Sequence, residues 1–176
     1  MNQSAPQNGP SVLADASSPA VFALSSDAAP DGSILEHAQL SPEQGGPSLS
    51  PDLRWSGAPK GTRSFAVTCY DPDAPTGSGF WHWIAWDIPA DASGLPPGAE
   101  REASGMLQAV NDFGRPGYDG PNPPEGPAHR YVFTVHALPV ETLGIDPSAP
   151  HVQARFAIVT QQLASASITA TYRAPA

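Results

Sequence analysis

Residues 71–88 decide the fold of this chain, and they read DPDAPTGSGFWHWIAWDI. The segment begins as a turn rich in proline and glycine and continues as an apolar run that only His82 and Asp87 interrupt. A run that is apolar on both faces is typical of a central strand in a layered β structure. We therefore predict a strand over 80–88 that a rigid, proline-fixed turn precedes.

Further strand signals lie on both sides of this segment. Alternating apolar residues predict a strand over 64–70, and a β-branched and aromatic run predicts another over 130–138. Shorter strands are predicted over 21–25, 53–55 and 167–172. This series of short strands separated by turn residues favours a layered β fold over a helical one.

The alternation of side chains along a strand predicts where two histidines point. His82 is expected to share a face with Phe80, Ile84 and Trp86, because each is an even number of residues away. His129 directly precedes a predicted strand, and by the same parity it points the same way as Tyr131. Both histidines also follow a rigid turn, which makes them candidates for a site.

One helix is predicted, between His151 and Leu163. Its apolar residues recur at spacings of 4, 3 and 4, the stripe of an amphipathic helix, and they are Val152, Phe156, Val159 and Leu163. With the strands, this helix predicts a mainly β sandwich that carries one helix near its end.

Composition excludes several classes of function. The formal net charge is −9 with only 8 Lys and Arg, so no basic patch for nucleic acid or an anionic membrane is expected. No apolar run is long enough for stable membrane insertion. Cys69 is the only cysteine, which fits a reducing compartment and a soluble cytoplasmic protein. Residues 1–20 are interpreted as a disordered tail, and residues 21–176 as a single domain.

Two proline-fixed turns supply the candidate site. Asp71 and Asp73 lie in the first turn, residues 117–124 (GYDGPNPP) form the second, and His82 and His129 follow them. Two imidazoles and the turn amides around Gly120 and Asn122 are donors of the kind that an anion site needs. Asp71 would orient a histidine, as carboxylates do in other histidine sites.

A metal site is the rival interpretation of the same residues. Asp71, Asp73, His82 and His129 form a carboxylate and histidine set, although neither HExxH nor CxxC spacing is present. The Ala74–Pro75 bond could be cis, since it lies in a tight turn. No cofactor motif is found, so no cofactor is predicted.

At these residues the chain resembles the phosphatidylethanolamine-binding protein family, also called the Raf kinase inhibitor protein family, and its bacterial branch most of all. The resemblance runs from about Phe22 to Arg173. It is carried by the segments SPDLRWSG (50–57), YDPDAP (70–75), His82-Trp83, YDGP (118–121), Pro123-Pro124 and HRYVFTV (129–135).

This resemblance implies two antiparallel sheets packed as a Greek-key-like sandwich with one or two short helices. It also implies one small surface cavity for phosphate-like or carboxylate anions. The residues that match the family's cavity are Asp71, His82 and His129, with Gly120, Pro123 and Tyr131 in its wall. Asn122 stands where eukaryotic members have glycine.

The sequence thus favours a non-enzymatic binding protein for a small anionic or phosphorylated ligand, such as phosphate or a phosphoethanolamine-like headgroup, which could serve regulation. Ligand contacts are predicted at Asp71, Asp73, His82, Gly120, Asn122, Pro123, His129 and Tyr131. One alternative is an enzyme that uses the same Asp/His pocket for acid–base chemistry, such as a cyclisation, dehydration or aldol-type step. Another is an inhibitor of a protease or kinase. A homodimer is possible through the aromatic strand.

Overall fold

The structure is a computed structural model that describes residues 21–102 and 105–176. The predicted tail over 1–20 lies outside the described residues. Eight strands and one α-helix are present in the described ranges: β1 Ala23–Ser25, β2 Leu53–Ser56, β3 Ser64–Asp71, β4 Phe80–Pro89, β5 Gly94–Leu95, β6 Leu107–Gln108, β7 His129–Leu138, α1 His151–Gln161 and β8 Ala164–Tyr172. Three short 3-10 turns cover His37–Gln39, Pro42–Gln44 and Ala99–Arg101.

The strands form two antiparallel sheets, as the resemblance implies. The smaller sheet has the order β1-β2-β5, and the larger has the order β6-β4-β3-β7-β8. The main core lies between the sheets, where Leu53 and Trp55 of the small sheet meet residues such as Phe65, Trp83 and Phe133 of the large one. The other face of the large sheet packs against α1. The fold is therefore mainly β, with the layers that the sequence predicts.

A β-bulge in β4 breaks the alternation of this strand. Trp81 pairs with Tyr70 and Trp83 pairs with Cys69, so two steps along β4 match one step along β3. The extra residue is His82. A bulge of this kind changes which face the following side chains occupy.

The parity prediction for His82 was therefore right for Phe80, whose ring lies beside the imidazole, and wrong for Ile84 and Trp86. Ile84 and Trp86 lie on the α1 side of the sheet, in the core that includes Ile158. The ring of His82 lies on the opposite side, where its centroid is 5.2 Å from that of Tyr131. Strand alternation alone would have placed this imidazole under the helix, and the bulge places it in the cavity described below.

The predicted helix is present, but its apolar stripe faces solvent. The residues that α1 buries against the sheet are Ala154, Ala157 and Ile158. At about 100° per residue, the predicted stripe lies on the opposite side of the helix. Val152, Phe156 and Val159 in α1 are 53, 70 and 59 % exposed, and Leu163, which follows the end of the helix at Gln161, is 44 % exposed. Small alanine side chains allow the helix to approach the sheet closely, so this face packs in place of the bulkier one.

Candidate functional site

A small cavity opens where β3 ends and where β4 and β7 begin. Its volume is about 170 Å³, which is smaller than a site for a drug-sized ligand, typically about 300–1,000 Å³. The polar residues that line it are Asp71, Thr76, His82, Asn122, His129 and Tyr131, and the apolar ones are Ala74, Pro75, Phe80, Phe113 and Pro123. Six polar and five apolar residues thus surround a space that suits a small ligand.

Asp71 holds the first turn and one histidine together. Its Oδ1 atom accepts the amide hydrogens of Asp73 at 2.8 Å and Ala74 at 3.1 Å. Its Oδ2 atom lies 2.8 Å from Nδ1 of His129, and both side chains are buried. A carboxylate with three such donors has both oxygens and most of its acceptor capacity engaged by the protein. Asp71 therefore orients His129.

His82 is held by a backbone carbonyl and by aromatic rings. Its Nδ1 atom lies 2.7 Å from the carbonyl oxygen of Asp119. The ring centroids of Phe80, Tyr131 and Phe113 lie 5.2, 5.2 and 5.5 Å from that of the imidazole. Burial lowers the pKa of His82, because the charged form is poorly solvated there. The geometry thus fixes a largely neutral imidazole beside the cavity.

Tyr131 supplies a free hydroxyl. Its side chain is buried, and no residue within the described ranges offers its oxygen a hydrogen-bond partner. Burial raises the pKa of Tyr131, so the phenol stays protonated. A buried hydroxyl without a partner is costly in a folded protein. This group is therefore available to a ligand in the cavity.

A polar network fixes the carbonyl that orients His82. The Asp119 carboxylate accepts hydrogen bonds from Asn111 Nδ2 at 2.7 Å and from Arg115 at 2.6 and 3.2 Å. Asn111 Nδ2 also donates to the Gly117 carbonyl at 3.0 Å. The Asp119 amide donates back to the His82 carbonyl at 3.1 Å. Asp119, which this network fixes, therefore holds His82 both by its backbone carbonyl and by Nδ1 of its ring.

Asp73 lies outside the cavity lining. Its carboxylate accepts three hydrogen bonds of 2.9 Å from Arg130, one from the amide and two from the guanidinium. The guanidinium hydrogen bonds hold the pKa of Asp73 at about 2. The pair lies in a separate groove of about 560 Å³ that shares Pro75 and His129 with the cavity.

Gly120 is also absent from the lining, and its role in the fold is one of packing. A Cβ atom built at this position would lie 2.1 Å from the Gln39 carbonyl oxygen, so only glycine fits. The Gly120 amide donates to Ser48 Oγ at 3.0 Å. The Gly120 amide, which the sequence predicts as a donor to a ligand, is therefore already hydrogen-bonded within the protein.

Asn122 does line the cavity, although its side chain is exposed at the mouth. Its Oδ1 atom accepts a hydrogen bond from Gln44 Nε2 at 3.0 Å. The amide group of Asn122 is thus oriented with its oxygen towards Gln44, and its NH₂ is left as a donor.

The metal interpretation finds no support in the described ranges. No group of three or more His, Cys, Asp or Glu is arranged there to hold a metal ion. Asp73 turns to Arg130, and both oxygens of Asp71 are engaged by protein donors. The Ala74–Pro75 bond is trans, since no cis peptide occurs in the described segments.

The predicted ligand contacts leave out several lining residues and the network behind His82. Four of these lining residues lie in or beside the first turn, namely Ala74, Pro75, Thr76 and Phe80. Phe113 lines the cavity from the irregular region between β6 and β7, where no periodic signal marks it. The network of Asn111, Arg115 and Asp119 lies in the same region. Asn111 at the start of a turn was a local signal, because Asn side chains often accept nearby amides, as this one does from Phe113 at 2.9 Å.

Comparisons with known proteins agree with the architecture. The sequence model of the family described as phosphatidylethanolamine-binding protein matches residues 25–173. The UPF0098 protein YbhB of Escherichia coli strain K12 is 48 % identical over 148 residues, which cover 81 % of this chain and 94 % of YbhB. The UPF0098 protein YbcL of the same strain is 44 % identical over 133 residues, or 72 % of this chain and 73 % of YbcL.

Solved structures show the same fold. The crystal structure of E. coli YbcL, described as a new member of the mammalian PEBP family, superposes with a TM-score of 0.82 at 40 % identity and covers 86 % of this chain and 98 % of YbcL. The carboxypeptidase Y inhibitor in complex with its cognate proteinase superposes with a TM-score of 0.51 at 20 % identity, over 88 % of this chain and 83 % of that one, which shows likeness of fold alone. On these matches, the chain belongs to the phosphatidylethanolamine-binding protein family.

Proposed function

We propose that this protein binds small anionic or phosphorylated ligands, such as phosphate or a phosphoethanolamine-like headgroup, in the cavity between β3, β4 and β7. The observation that carries the proposal is the arrangement of His82 and His129. Each buried imidazole uses Nδ1 to contact an oxygen of the protein, at 2.7 and 2.8 Å, and neither Nε2 has a partner among the described residues. Such paired, pre-oriented imidazoles are the groups that a small oxyanion would contact.

The groove beside the cavity supports a ligand larger than phosphate alone. It shares Pro75 and His129 with the cavity and contains the Asp73–Arg130 ion pair. A phosphate group in the cavity would leave the rest of a phosphomonoester in this groove. An amino group on that ligand would meet Asp73, which is a further reason to test phosphoethanolamine.

Calorimetric titration tests the proposal. Inorganic phosphate and O-phosphorylethanolamine are titrated into the protein and into His82→Ala, His129→Ala and His37→Ala variants. His37 is the control, because it is exposed and does not line the cavity. We expect saturable binding that the first two substitutions abolish and the third preserves. Absence of binding to folded protein, or equal binding by all variants, would refute the proposal.

Acid–base catalysis in the same cavity is the second candidate. The observation that favours it is the unpartnered Tyr131 hydroxyl beside the His82 ring, which places a proton donor next to a proton acceptor. NMR detection of turnover in a panel of small metabolites tests it. Turnover that Tyr131→Phe removes while the fold is kept would support catalysis, and an unchanged panel would count against it.

The proposal includes a homodimer, but through α1 rather than the aromatic strand. The middle of β4, from His82 to Trp86, is buried, so that strand offers little surface. Residues 147–172 contain no Asp or Glu in a chain of net charge −9, so two copies can meet along the exposed stripe of α1 with little repulsion. Sedimentation equilibrium tests this: we expect a dimer that Phe156→Asp dissociates, and a monomer at all concentrations would contradict it.

We propose a reducing compartment, the cytoplasm, as the location. The support is Cys69, which is buried and free, and for which the sequence has no partner. No helix in the described part of the chain is long and apolar enough to cross a membrane. A fusion to alkaline phosphatase, which is active only after export, tests the location: we expect an inactive fusion.

A further inference from the structure

Both cavity histidines donate through Nδ1. A carbonyl oxygen only accepts, so the contact of His82 with Asp119 requires hydrogen on Nδ1. The Asp71 oxygen that faces His129 belongs to a carboxylate that already accepts two amide hydrogens, so it accepts a third from His129 Nδ1. In its neutral form each ring therefore presents a lone pair at Nε2.

The hydrogen-bonding groups left for a ligand are thus of two kinds. Nε2 of His82 and Nε2 of His129 are acceptors. The Tyr131 hydroxyl and the Asn122 NH₂ group are donors, since Asn122 uses its oxygen for Gln44. Dihydrogen phosphate has two O–H donors and two bare oxygens, which is the complementary set, and a singly protonated phosphomonoester matches in part. Sulfate at neutral pH has four bare oxygens and no donor.

No fixed cation lines the cavity within the described residues, since its lining holds neither Lys nor Arg. Arg115 is paired with Asp119, and Arg130 is paired with Asp73. A dianion in this apolar space would therefore lack a fixed positive partner, which makes its desolvation costly.

We propose that the free cavity selects oxyanions that carry their own proton, which donates to a neutral histidine Nε2, and rejects fully deprotonated anions of the same shape. This inference rests on the proposed function. It narrows the ligand class to phosphate and phosphomonoesters in their protonated forms.

At about pH 7, the surroundings of His82 favour the uncharged form of its ring. Burial lowers the pKa of His82, and the nearby carboxylates oppose this only in part. The titratable and charged groups around the two rings, from every element packed there, are Asp71, Asp73, Asp112, Asp119, Arg115, Arg130, Tyr131 and Tyr172. As pH falls below the lowered pKa, Nε2 of His82 gains hydrogen and becomes a donor. The affinity for sulfate should therefore rise in acid.

The test compares anions on the unmodified full-length protein. Calorimetry measures affinity for phosphate, methyl phosphate, dimethyl phosphate and sulfate at about pH 7.5 and about pH 5, on either side of the ordinary histidine pKa. Dimethyl phosphate is the matched control, because it carries a single charge but no acidic proton. At the higher pH we expect phosphate, which keeps at least one O–H group, to bind roughly tenfold to hundredfold tighter than sulfate and dimethyl phosphate. Methyl phosphate has mostly lost its acidic proton at that pH, so it should bind more weakly than phosphate there and gain affinity at the lower pH. Sulfate should also bind more tightly at the lower pH than at the higher pH.

The outcomes separate this inference from the proposed function. Sulfate that binds as tightly as phosphate at the higher pH would overturn the selection for protonated anions and leave the anion site intact. Failure of all four anions to bind the folded protein would overturn both. Nitrogen-15 NMR at about pH 7.5 gives an independent readout: we expect hydrogen on Nδ1 and none on Nε2 for the free His82 ring, and the opposite tautomer at either histidine would refute the inference.

Discussion

Two regions of this molecule depart in opposite ways from the usual pattern of buried apolar and exposed polar side chains. The cavity end of the large sheet buries polar groups, among them Asp71, His82 and His129, whereas α1 leaves apolar side chains such as Phe156 in solvent. These three polar side chains have specific partners at 2.7–3.1 Å. The exposed apolar groups have none that bury them. The loss of unfolding free energy on removing a side chain should therefore depend on the contacts and hydrogen bonds that it makes, and not on whether it is polar.

Removal of Asp71 should give the largest effect. Asp71→Ala leaves two amides and a histidine nitrogen without their acceptor, so we expect a loss of about 3–5 kcal/mol in the free energy of unfolding, together with loss of phosphate binding. Urea denaturation measures it. Asp73→Ala is the control at an exposed ion pair, for which a change below about 1 kcal/mol is expected. Equal losses would show that burial of Asp71 has no energetic role.

Two positions in α1 test the other side of the comparison. Ile158→Ala removes a buried side chain, so we expect a loss of about 2–4 kcal/mol in the free energy of unfolding. Phe156→Ala removes a larger side chain that is 70 % exposed, and for the isolated protomer a change within about 0.5 kcal/mol is expected. Denaturation at low protein concentration keeps self-association out of the measurement. A larger effect at Phe156 would contradict the orientation of the helix.

Gly120 tests how the second turn is held. Gly120→Ala places a methyl group against the Gln39 carbonyl, so a loss of about 2–3 kcal/mol is expected in thermal or urea unfolding. Gly126→Ala is the control, since nothing lies within 4 Å of its added Cβ and only its positive φ opposes the change. We expect about 1 kcal/mol there. The reverse order would mean that the turn is free to shift.

Protonation of His82 gives the smallest effect and has a definite sign. Burial lowers the pKa of folded His82, whereas the unfolded chain takes up its proton near the ordinary value of 6.5. Below that value the unfolded state binds more protons, so stability should fall as pH falls through and below about 6.5. The pH dependence of unfolding in urea measures this slope. His82→Asn should flatten it, and an unchanged slope would assign it to other groups, including His136.

The sequence predicts the strands well, because their signals are local. Alternation in β3 and the apolar run of β4 mark strands whatever they pair with. The face of His82 could not be predicted, since the bulge depends on the pairing of Trp81 with Tyr70 and Trp83 with Cys69. An apolar run on both faces gives no parity signal with which to detect the extra residue.

Long-range contacts explain the other differences. In α1, both the predicted stripe and the Ala154, Ala157 and Ile158 face are apolar, and the sheet decides which one is buried. Asp71 and Asp73 are two residues apart in one turn, yet the hydrogen bond from Arg130 holds the Asp73 carboxylate outside the cavity. Which face of α1 is buried and where each carboxylate points depend on residues that are distant in sequence. Local patterns therefore identify the candidate turns but not the residues that line the cavity.

Histidine NMR during a phosphate titration tests whether the cavity binds the anion. We expect the ring signals of His82 and His129 to shift together and saturate, whereas those of His37 and His151 stay in place. His37 and His151 are suitable references, because neither lines the cavity. If His82 and His129 do not respond in folded protein, or respond no more than His37 does, the cavity is not the anion site that its geometry suggests.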